Sequence, residues 1–224
     1  VTPKVSVITS LSYDHMAVLG NTLTQIAGEK AGIIKEGVPV VSSPQVDEAL
    51  AVLEKVAAER HAPLTLFGRE LTCREREHSL DGQEISLRPA GPAAEAQKSL
   101  ILRIPLLGKH QQANAATAYA ALKASGLDVS DAAIARGFAR VTWPCRFEVV
   151  RRAPPVILDS AHNLDSFEKL AETLRDYYPG RRAALIFGAS EDKDVSGMLL
   201  ALLPHLALVI AARADHPRAI DPVQ

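Results

Sequence analysis

Short apolar runs that alternate with longer helical segments are the feature of this sequence that most restricts its fold. In chain order, the pattern predicts a strand at 5–9, a helix at 22–34, a strand at 38–42, a helix at 46–60 and a strand at 64–67. Parallel strands need a long crossover connection, usually a helix, so this β-α-β-α-β order is typical of a parallel sheet covered by helices. We therefore predict an α/β fold.

A different pattern follows the first series. Segments 84–88 and 100–104 alternate apolar and polar residues around a loop rich in Gly and Pro. Such alternation is typical of a half-exposed antiparallel hairpin, which we place on the flank of the sheet. Helices are predicted next at 111–125 and at 131–139, the second with Ser130 as its N-cap.

The βαβ pattern restarts after residue 140, so we place a domain boundary there, between 1–140 and 141–224. Right-handed crossovers would put the strands of the second domain in one parallel sheet covered by helices. The domain is shorter than a complete one usually is. Its predicted strands and helices are, in order, 156–158, 166–178, 183–187, 195–203 and 206–211.

Charge and cysteine usage exclude several classes of partner. The 224 residues have a formal net charge of −1, with basic and acidic side chains interspersed, so they carry no footprint for nucleic acid or for an anionic membrane. Apolar runs such as 206–212 are far shorter than the roughly 20 residues of a spanning helix. Cys73 and Cys145 match no ligand spacing or disulfide framework. We expect small-molecule or protein partners and a cytoplasmic location.

Polar clusters follow all three predicted strands of the second domain, at 159–163, 188–194 and 215–218. Ligands of parallel sheets bind beyond the carboxyl ends of the strands, so the three clusters together favour a site, although an ordinary polar loop explains any one of them equally well. The equivalent edge of the first domain carries Asp14 and His15. A histidine oriented by a carboxylate can ligate a metal, and a solvated loop histidine is the alternative.

Lys30 occupies an unusual place in the first predicted helix. At 100° per residue, one apolar stripe is formed by Leu23, Ile26, Ala27, Ile33 and Ile34. Lys30 falls in the middle of this stripe. Burial disfavours the ammonium form, so we expect the amine to be neutral, paired or chemically modified. The alternative is a packed stem with the amine extended to water.

Asn114 is a second unusual residue, because asparagine is a poor choice inside an alanine-rich helix. It follows His110 and Gln111 by about one turn, which would place its amide near the start of the helix. Capping explains one of these three residues as well as ligand binding does, but not obviously all three.

Several motifs together resemble the folylpolyglutamate synthases and dihydrofolate synthases of the Mur ligase family. They occur in order from the first residues to near the last. The matching segments are Ile8-Thr9-Ser10, Asp14-His15, Leu19-Gly20, Thr22-Leu23, Ile26-Ala27, 29–35, 37–41, 108–111, Asn114-Ala115, Trp143-Pro144, Arg146-Phe147-Glu148, Leu158-Asp159, Ala161-His162-Asn163 and 216–219.

The resemblance implies part of a Mur ligase central ATPase domain at 1–140 and a truncated Rossmann-like C-terminal domain at 141–224. It implies an ATP- and Mg²⁺-dependent ligase, monomeric at full length, that joins L-glutamate to a folate or dihydropteroate carboxylate through an acyl phosphate. The implied site residues are His15 as a magnesium ligand, Lys30 as a carbamylated lysine, Asn114, Arg146 and Asp159 as ATP-binding residues, and His162 beside the transferred group.

The sequence departs from the family pattern at three places. Cys145 replaces the usual Gly before Arg146, and Ser160 replaces the usual Gly after Asp159. The phosphate-binding pattern G-x-x-x-x-G-K-[ST] is absent, since Gly108-Lys109 is followed by His110. We therefore expect these 224 residues to be part of a larger enzyme, to show no turnover alone, and to leave apolar surface uncovered near their first strand.

Three alternatives stay open. Another Mur ligase, acting on a peptidoglycan precursor or a polyamide, would share the lysine segment and the Asp159 to Asn163 segment, but the spelling of His110-Gln111 and of 143–148 argues against it. A non-catalytic binding or scaffolding protein could retain the fold without its phosphate loop. A metal-dependent hydrolase using His15 lacks a second ligand cluster.

Overall fold

The computed structural model describes residues 2–13, 20–90 and 99–221. The chain divides into two compact units, Val1–Thr142 and Trp143–Gln224. Both units combine strands with helices, and both parallel and antiparallel pairing occur, so the predicted α/β class is confirmed. The assignment of 1–140 and 141–224 as family domains stays a prediction.

The first unit begins with a parallel sheet of three short strands in the order β1-β2-β3. Ser6 pairs with Val40, and Val40 pairs in turn with Leu64. Helices connect the strands, as the crossover rule requires. The elements are β1 (Ser6–Ile8), α1 (Leu23–Ala31), β2 (Val40–Ser42), α2 (Asp47–Glu59) and β3 (Leu64–Leu66).

Local sequence sets the start of α1, and packing holds it in place. The Thr22 side chain accepts the Gln25 N–H at 3.2 Å and so caps the helix. Behind the sheet, Val40, Leu53 and Ile34 are fully buried in one apolar cluster. Burying each such side chain contributes about 1.5–3 kcal/mol.

An antiparallel sheet follows, with three strands in the order β4-β5-β6. They are β4 (Leu71–Ser79), β5 (Gly82–Pro89) and β6 (Leu100–Ile104). The predicted segments 84–88 and 100–104 are both strands and pair with each other. The predicted hairpin is therefore confirmed, and a third strand extends it, because β5 also pairs with β4. Strand β4 carries mostly charged and exposed side chains, so it has no apolar alternation to reveal it.

Two helices complete the first unit, α3 (Lys109–Ala124) and α4 (Asp131–Phe138). The predicted cap of α4 is confirmed, since the Ser130 hydroxyl accepts the Ala133 N–H at 3.2 Å. Helix α3 packs its alanines on the antiparallel sheet, where Ile85 and Leu102 are fully buried. Small side chains allow the helix to approach the sheet closely.

The second unit has two two-stranded sheets. Strands β7 (Glu148–Arg152) and β8 (Pro155–Leu158) are antiparallel, whereas β9 (Ala183–Phe187) and β10 (Leu206–Ala211) are parallel. The prediction of one parallel sheet is therefore wrong for β8. Only two residues separate β7 from β8, too few for a crossover, so β8 must return antiparallel.

Helices α5 (Leu164–Tyr177) and α6 (Val195–Leu202) pack beside β9 and β10. Phe167 and Met198 are almost completely buried, and the Phe167 ring lies edge-on to Phe187 with 5.6 Å between centroids. Such an edge-to-face pair adds about 0.5–1.5 kcal/mol to the area term. Among the helices in the described ranges, none is long and apolar enough to span a bilayer.

A buried polar network joins the antiparallel sheet to the start of α3. Gln83 is only 2% exposed, and its amide donates to the carbonyls of Leu106 at 2.7 Å and Gly108 at 3.0 Å. The Gln112 amide donates to Gln83 Oε1 at 2.7 Å and to a carboxylate oxygen of Glu75. Because buried polar groups are costly to leave unpaired, this network fixes where α3 begins.

Glu75 is the charged member of the network. Desolvation by burial works to raise its pKa, but hydrogen bonds from Gln112 and His78 and the nearby charges of His78 and Lys109 outweigh it, so the pKa lies below its ordinary value. Burial, with the charge of Glu75, raises the pKa of the Cys73 thiol to about 11. At neutral pH Cys73 is therefore a protonated thiol, unsuited to nucleophilic attack.

The lowered pKa of Glu75 predicts a loss of stability in acid. A carboxylate whose pKa is lower in the folded state than in the unfolded state, where it is about 4.3 for glutamate, stabilises the fold at pH values above the unfolded pKa. This stabilisation is lost as the pH falls through the folded-state pKa. We expect Glu75→Gln to lower the melting temperature at neutral pH and the difference from wild type to shrink steadily in acid. Glu77→Gln, at an exposed position of the same strand, is the matched control. A pH-independent difference would contradict this account.

Candidate active site

The first unit contains an apolar cavity of about 450 Å³ between α3, α4 and the end of β6. Ligand sites are usually 300–1,000 Å³ in volume and mainly apolar, with a few polar groups that orient the ligand. Its lining residues are Ile104, Leu106, Gln111, Asn114, Ala115, Ala118, Leu122, Val129, Ala133, Ile134, Gly137, Phe138 and Val141.

Gln111 and Asn114 are the polar side chains of this cavity. Asn114 is exposed, and its Nδ2 donates to Gln111 Oε1 at 3.2 Å. Both lie in the first two turns of α3, whose start is fixed by the Gln83 network. The sequence-predicted ATP residue Asn114 is thus placed at the polar margin of an apolar cavity.

Lys30 lies in the last turn of α1 and is exposed. The prediction that it is buried in an apolar stripe is therefore wrong. A helical wheel assumes that the helix continues, but α1 ends at Ala31, and Ile33 beyond it is 45% exposed. The buried residues of α1 are Leu23, Ile26, Ala27 and Ala31.

An exposed lysine at a helix C-terminus also has an ordinary explanation, because its positive charge interacts favourably with the helix dipole. Lys30 is not buried, so its surroundings give no support for special chemistry of its amine. Its role as a carbamylated lysine stays a prediction that rests on the family resemblance alone.

His15, the predicted magnesium ligand, and the adjacent Asp14 lie outside the described residues. The loop that leads towards them is braced by Gln45. Its Oε1 accepts the Leu11 N–H at 3.0 Å, and its Nε2 donates to the Thr9 carbonyl at 2.9 Å. The side-chain amide thus extends the pairing of β1 beyond the end of the strand. In ranges 2–13, 20–90 and 99–221, no three His, Cys, Asp or Glu side chains converge on a possible metal position.

Arg146 lies in a turn that directly precedes β7. Its neighbours Cys145 and Phe147 both have left-handed backbone conformations, with φ of 58° and 47°. For residues other than glycine, each such conformation costs about 1–3 kcal/mol and persists only where the surroundings enforce it. Arg146 is exposed, whereas Phe147 is 2% exposed and packs near the rings of Tyr177 and Tyr178.

Asp159 follows β8 and holds this turn. Its Oδ2 accepts the Phe147 N–H at 2.8 Å, and its Oδ1 accepts the Ala161 N–H at 2.7 Å. The Ser160 N–H donates to the Cys145 carbonyl at 2.9 Å. Asp159 and Arg146, both predicted from sequence, are therefore brought together, but each carboxylate oxygen of Asp159 already binds a backbone amide.

His162 occupies the same loop, just before α5. Its Nδ1 lies 3.0 Å from the Ser160 carbonyl, which can only accept, so Nδ1 carries the proton and a neutral ring has its acceptor at Nε2. The following residue, Asn163, forms a capping box with Ser166. This cap fixes the loop that carries His162.

The two other predicted polar clusters also meet. The Glu191 N–H donates to the Arg218 carbonyl at 3.0 Å, and Ile220 N–H donates to the Ala189 carbonyl at 3.0 Å. The loops after β9 and β10 are thereby joined at one end of the parallel pair. The loop after β8 belongs to the other sheet of the unit.

Comparison with known proteins places both units in one family. Residues 1–122 match the Mur ligase middle domain, and residues 145–224 match the Mur ligase glutamate ligase domain. The chain belongs to the Mur ligase family. The predicted resemblance to folylpolyglutamate synthases is also confirmed, because similar proteins and solved structures carry that name.

A dihydrofolate synthase/folylpolyglutamate synthase of Bacillus subtilis is 37% identical over 223 residues, covering 98% of this chain and 51% of the relative. A protein of the same name from Mycobacterium tuberculosis is 34% identical, covering 97% of this chain and 46% of the relative. The chain spans about half the length of the curated relatives it matches.

Solved structures agree. M. tuberculosis folylpolyglutamate synthase complexed with ADP superposes with a TM-score of 0.86 and 34% identity, covering 97% of this chain and 49% of that chain. A complex of folylpolyglutamate synthase with AMPPCP and folate superposes with a TM-score of 0.85 and 31% identity. The match covers 94% of this chain and 51% of that chain.

Glu148 and Gln45 are site-supporting residues for which the sequence predicted no role. Glu148 Oε2 accepts the Cys145 N–H at 2.9 Å, beside the arginine turn. Glu148 belongs to the matched Arg146-Phe147-Glu148 motif, so the sequence indicates that the residue matters. It does not indicate that the side chain contacts the Cys145 amide. Gln45 carried no such signal, because a glutamine before a helix is unremarkable in sequence.

The left-handed conformation of Cys145 predicts that Cys145→Gly stabilises the protein. Glycine adopts this conformation without the Cβ clash but loses more backbone entropy on folding, so we expect a net gain of about 0.5–1 kcal/mol. Urea unfolding would measure it. Cys145→Ala, which removes the thiol but keeps the Cβ, is the control. Equal gains from both substitutions would show that backbone strain is not the cause.

Proposed function

We propose that this chain serves an ATP-dependent ligase that joins L-glutamate to the carboxylate of a folate or dihydropteroate. The observation that carries the proposal is the match of nearly the whole chain to an ADP-bound folylpolyglutamate synthase, at a TM-score of 0.86 and 34% identity. The complex with AMPPCP and folate supports the same nucleotide and substrate class. The free state of Cys73 and Cys145 fits a reducing, cytoplasmic setting.

The proposed reaction has two steps. A carboxylate oxygen of the folate attacks the γ-phosphorus of ATP, which forms an acyl phosphate and releases ADP. The glutamate amine then attacks the acyl carbon, phosphate leaves with the former carboxylate oxygen, and the nitrogen loses a proton as the amide forms. Both steps develop negative charge on phosphate oxygens, which favours nearby cationic or N–H donors.

The cavity between α3 and α4 is the proposed site for the adenine base. Its walls are apolar, as a flat heteroaromatic ring requires, and Asn114 at its margin offers both a donor and an acceptor to the edge of the ring. Gln111 supports Asn114 through its 3.2 Å hydrogen bond. This arrangement explains an asparagine in an alanine-rich helix better than capping does.

Arg146 is the proposed phosphate-binding residue of the second unit. Its guanidinium can donate two parallel hydrogen bonds to phosphate oxygens, and its turn is fixed by Asp159. Since both oxygens of Asp159 accept backbone N–H groups, we assign Asp159 to holding the Arg146 turn as well as to the nucleotide site. His162, with Nε2 as its acceptor atom, is the proposed neighbour of the transferred group.

Mg²⁺ and a carbamate on Lys30 belong to this proposal through the family resemblance. When bound, Mg²⁺ would neutralise charge on the phosphates. Among the described residues, no three His, Cys, Asp or Glu side chains converge to hold it. Exposure of Lys30 is compatible with carbamate formation, since the amine must be reached by carbon dioxide.

The cavity assignment predicts that Ala118→Leu weakens nucleoside binding. Ala118 lines the cavity, and a leucine there would occupy space needed by the base. Adenosine is the right probe, because it has no phosphates and its affinity does not depend on a phosphate loop. We expect at least a tenfold loss in a calorimetric or NMR titration. Ala132→Leu, at an exposed α4 position outside the cavity lining, should bind as wild type does.

Equal adenosine affinity in Ala118→Leu and Ala132→Leu would refute the assignment of the base to this cavity. Titration with ADP and then with a folate tests the wider proposal. Binding of neither ligand, with capture of a protein partner instead, would favour the scaffolding alternative.

The carbamate assignment predicts a covalent adduct on one lysine. The neutral Lys30 amine would attack carbon dioxide and lose a proton, giving a carbamate anion. With ¹³C-bicarbonate, we expect one carbamate ¹³C signal in wild type that is absent in Lys30→Met. Lys35→Met, which changes a partly exposed neighbouring lysine, should retain it. A spectrum without the signal, or one unchanged in Lys30→Met, would refute the assignment.

A further inference from the structure

The arginine turn, defined as Cys145–Phe147, is held against its own backbone preference. Both residues that flank Arg146 are in the left-handed region, at φ of 58° and 47°, and neither is glycine. Such a pair persists only where neighbouring groups over-determine it. The groups that hold the turn therefore also determine where Arg146 is presented.

Three hydrogen bonds hold the arginine turn, and in two of them a carboxylate accepts a backbone N–H of the turn. Asp159 accepts the Phe147 N–H at 2.8 Å on one side. Glu148 Oε2 accepts the Cys145 N–H at 2.9 Å on the other. The third bond runs from the Ser160 N–H to the Cys145 carbonyl at 2.9 Å. Each residue that flanks Arg146 thus has its amide bound by a different carboxylate.

The strand pairing places both carboxylates at the turn. Glu148 opens β7 and pairs with Leu158, the last residue of β8, so the beginning of one strand lies beside the end of the other. Asp159 follows Leu158 directly. Glu148 is half-buried, and the Phe147 ring beside it is 2% exposed, so water has restricted access to these amide contacts.

We propose that Glu148 is a positioning residue, whose carboxylate fixes the arginine turn so that Arg146 can bind a phosphate group of the nucleotide. The identity of the ligand rests on the proposed function, whereas the contact between Glu148 and the Cys145 amide does not depend on it. We assign this role to the acceptor oxygen of Glu148, because its contact with the arginine turn is the hydrogen bond that it accepts from the Cys145 N–H.

This assignment gives a sharp test. In Glu148→Gln the side chain keeps an acceptor oxygen for the Cys145 N–H, whereas Glu148→Ala removes it. ADP affinity of the chain would be measured by NMR titration for both variants, for Arg146→Ala and for the Arg146→Ala/Glu148→Ala double variant. Hydrogen exchange of the Cys145 amide would be followed in the same samples. Glu168→Ala, at an exposed α5 position, controls for loss of a carboxylate.

We expect Glu148→Ala to weaken ADP binding about tenfold, to abolish protection of the Cys145 amide and to leave the overall fold intact. Glu148→Gln should bind within about twofold of wild type and retain most of the protection. The double variant should bind no more weakly than Arg146→Ala, because both changes remove the same contact.

Additive losses in the double variant, or equal losses in Glu148→Gln and Glu148→Ala, would overturn the positioning role. So would unchanged protection of the Cys145 amide in Glu148→Ala, whatever the ligand result. Failure of wild type to bind ADP would count against the proposed function, and the exchange measurement would then decide the inference alone.

Discussion

The antiparallel pairing of Glu148 with Leu158 is the constraint on which the second unit's site depends. It places the segment before β7 next to the segment after β8, where hydrogen bonds then join the two. Arg146 lies in the first, and Asp159 and His162 lie in the second. A shift of register by one residue would reverse the faces of one strand relative to the other, so Glu148 and Asp159 could no longer both reach the turn they hold.

The first unit positions its site mainly with glutamine amides. Gln45 braces the end of β1, and Gln83 and Gln112 fix the start of α3. A glutamine side chain carries the donor and acceptor of a peptide group, so it can continue backbone pairing where a strand stops. Where the second unit uses carboxylates, they are covered by backbone N–H groups.

Sequence patterns predicted most elements but not how every strand pairs. Helices and strands with clear periodicity, such as α5 and β10, were found to within two residues of their observed limits. Strand β4 was missed because charged residues dominate it, and the antiparallel return of β8 was missed with its partner β7. Such pairing depends on contacts distant in sequence, which local periodicity does not encode.

The site shows the same division between residue identity and geometry. Motifs singled out Arg146 and Asp159, and the departure from the usual Gly at Cys145 falls where the backbone is left-handed. The amide contacts that tie these residues together could not be inferred, because they depend on the register of two strands. The predicted burial of Lys30 is wrong for a different reason. The apolar stripe requires a helix that continues past Ala31, and the end of a helix is the feature that periodicity predicts least well.

The alanine-rich sequence of α3 has a function that helix propensity alone does not explain. Ala115 and Ala118 line the cavity, and Gly137 on α4 faces open space that a Cβ would enter without meeting another atom. A glycine inside a helix costs about 1 kcal/mol relative to alanine, and Gly137 has no positive φ to require it. Larger residues at these positions would pack the two helices together and stabilise the unit. Without them, the apolar walls of the cavity stay exposed to water, at a cost of about 25 cal/mol per Å². If the cavity is the proposed base site, this energy would become available when the flat ring covers the walls. In the proposed base site, the small residues would thus exchange stability of the free unit for affinity at the margin where Asn114 lies.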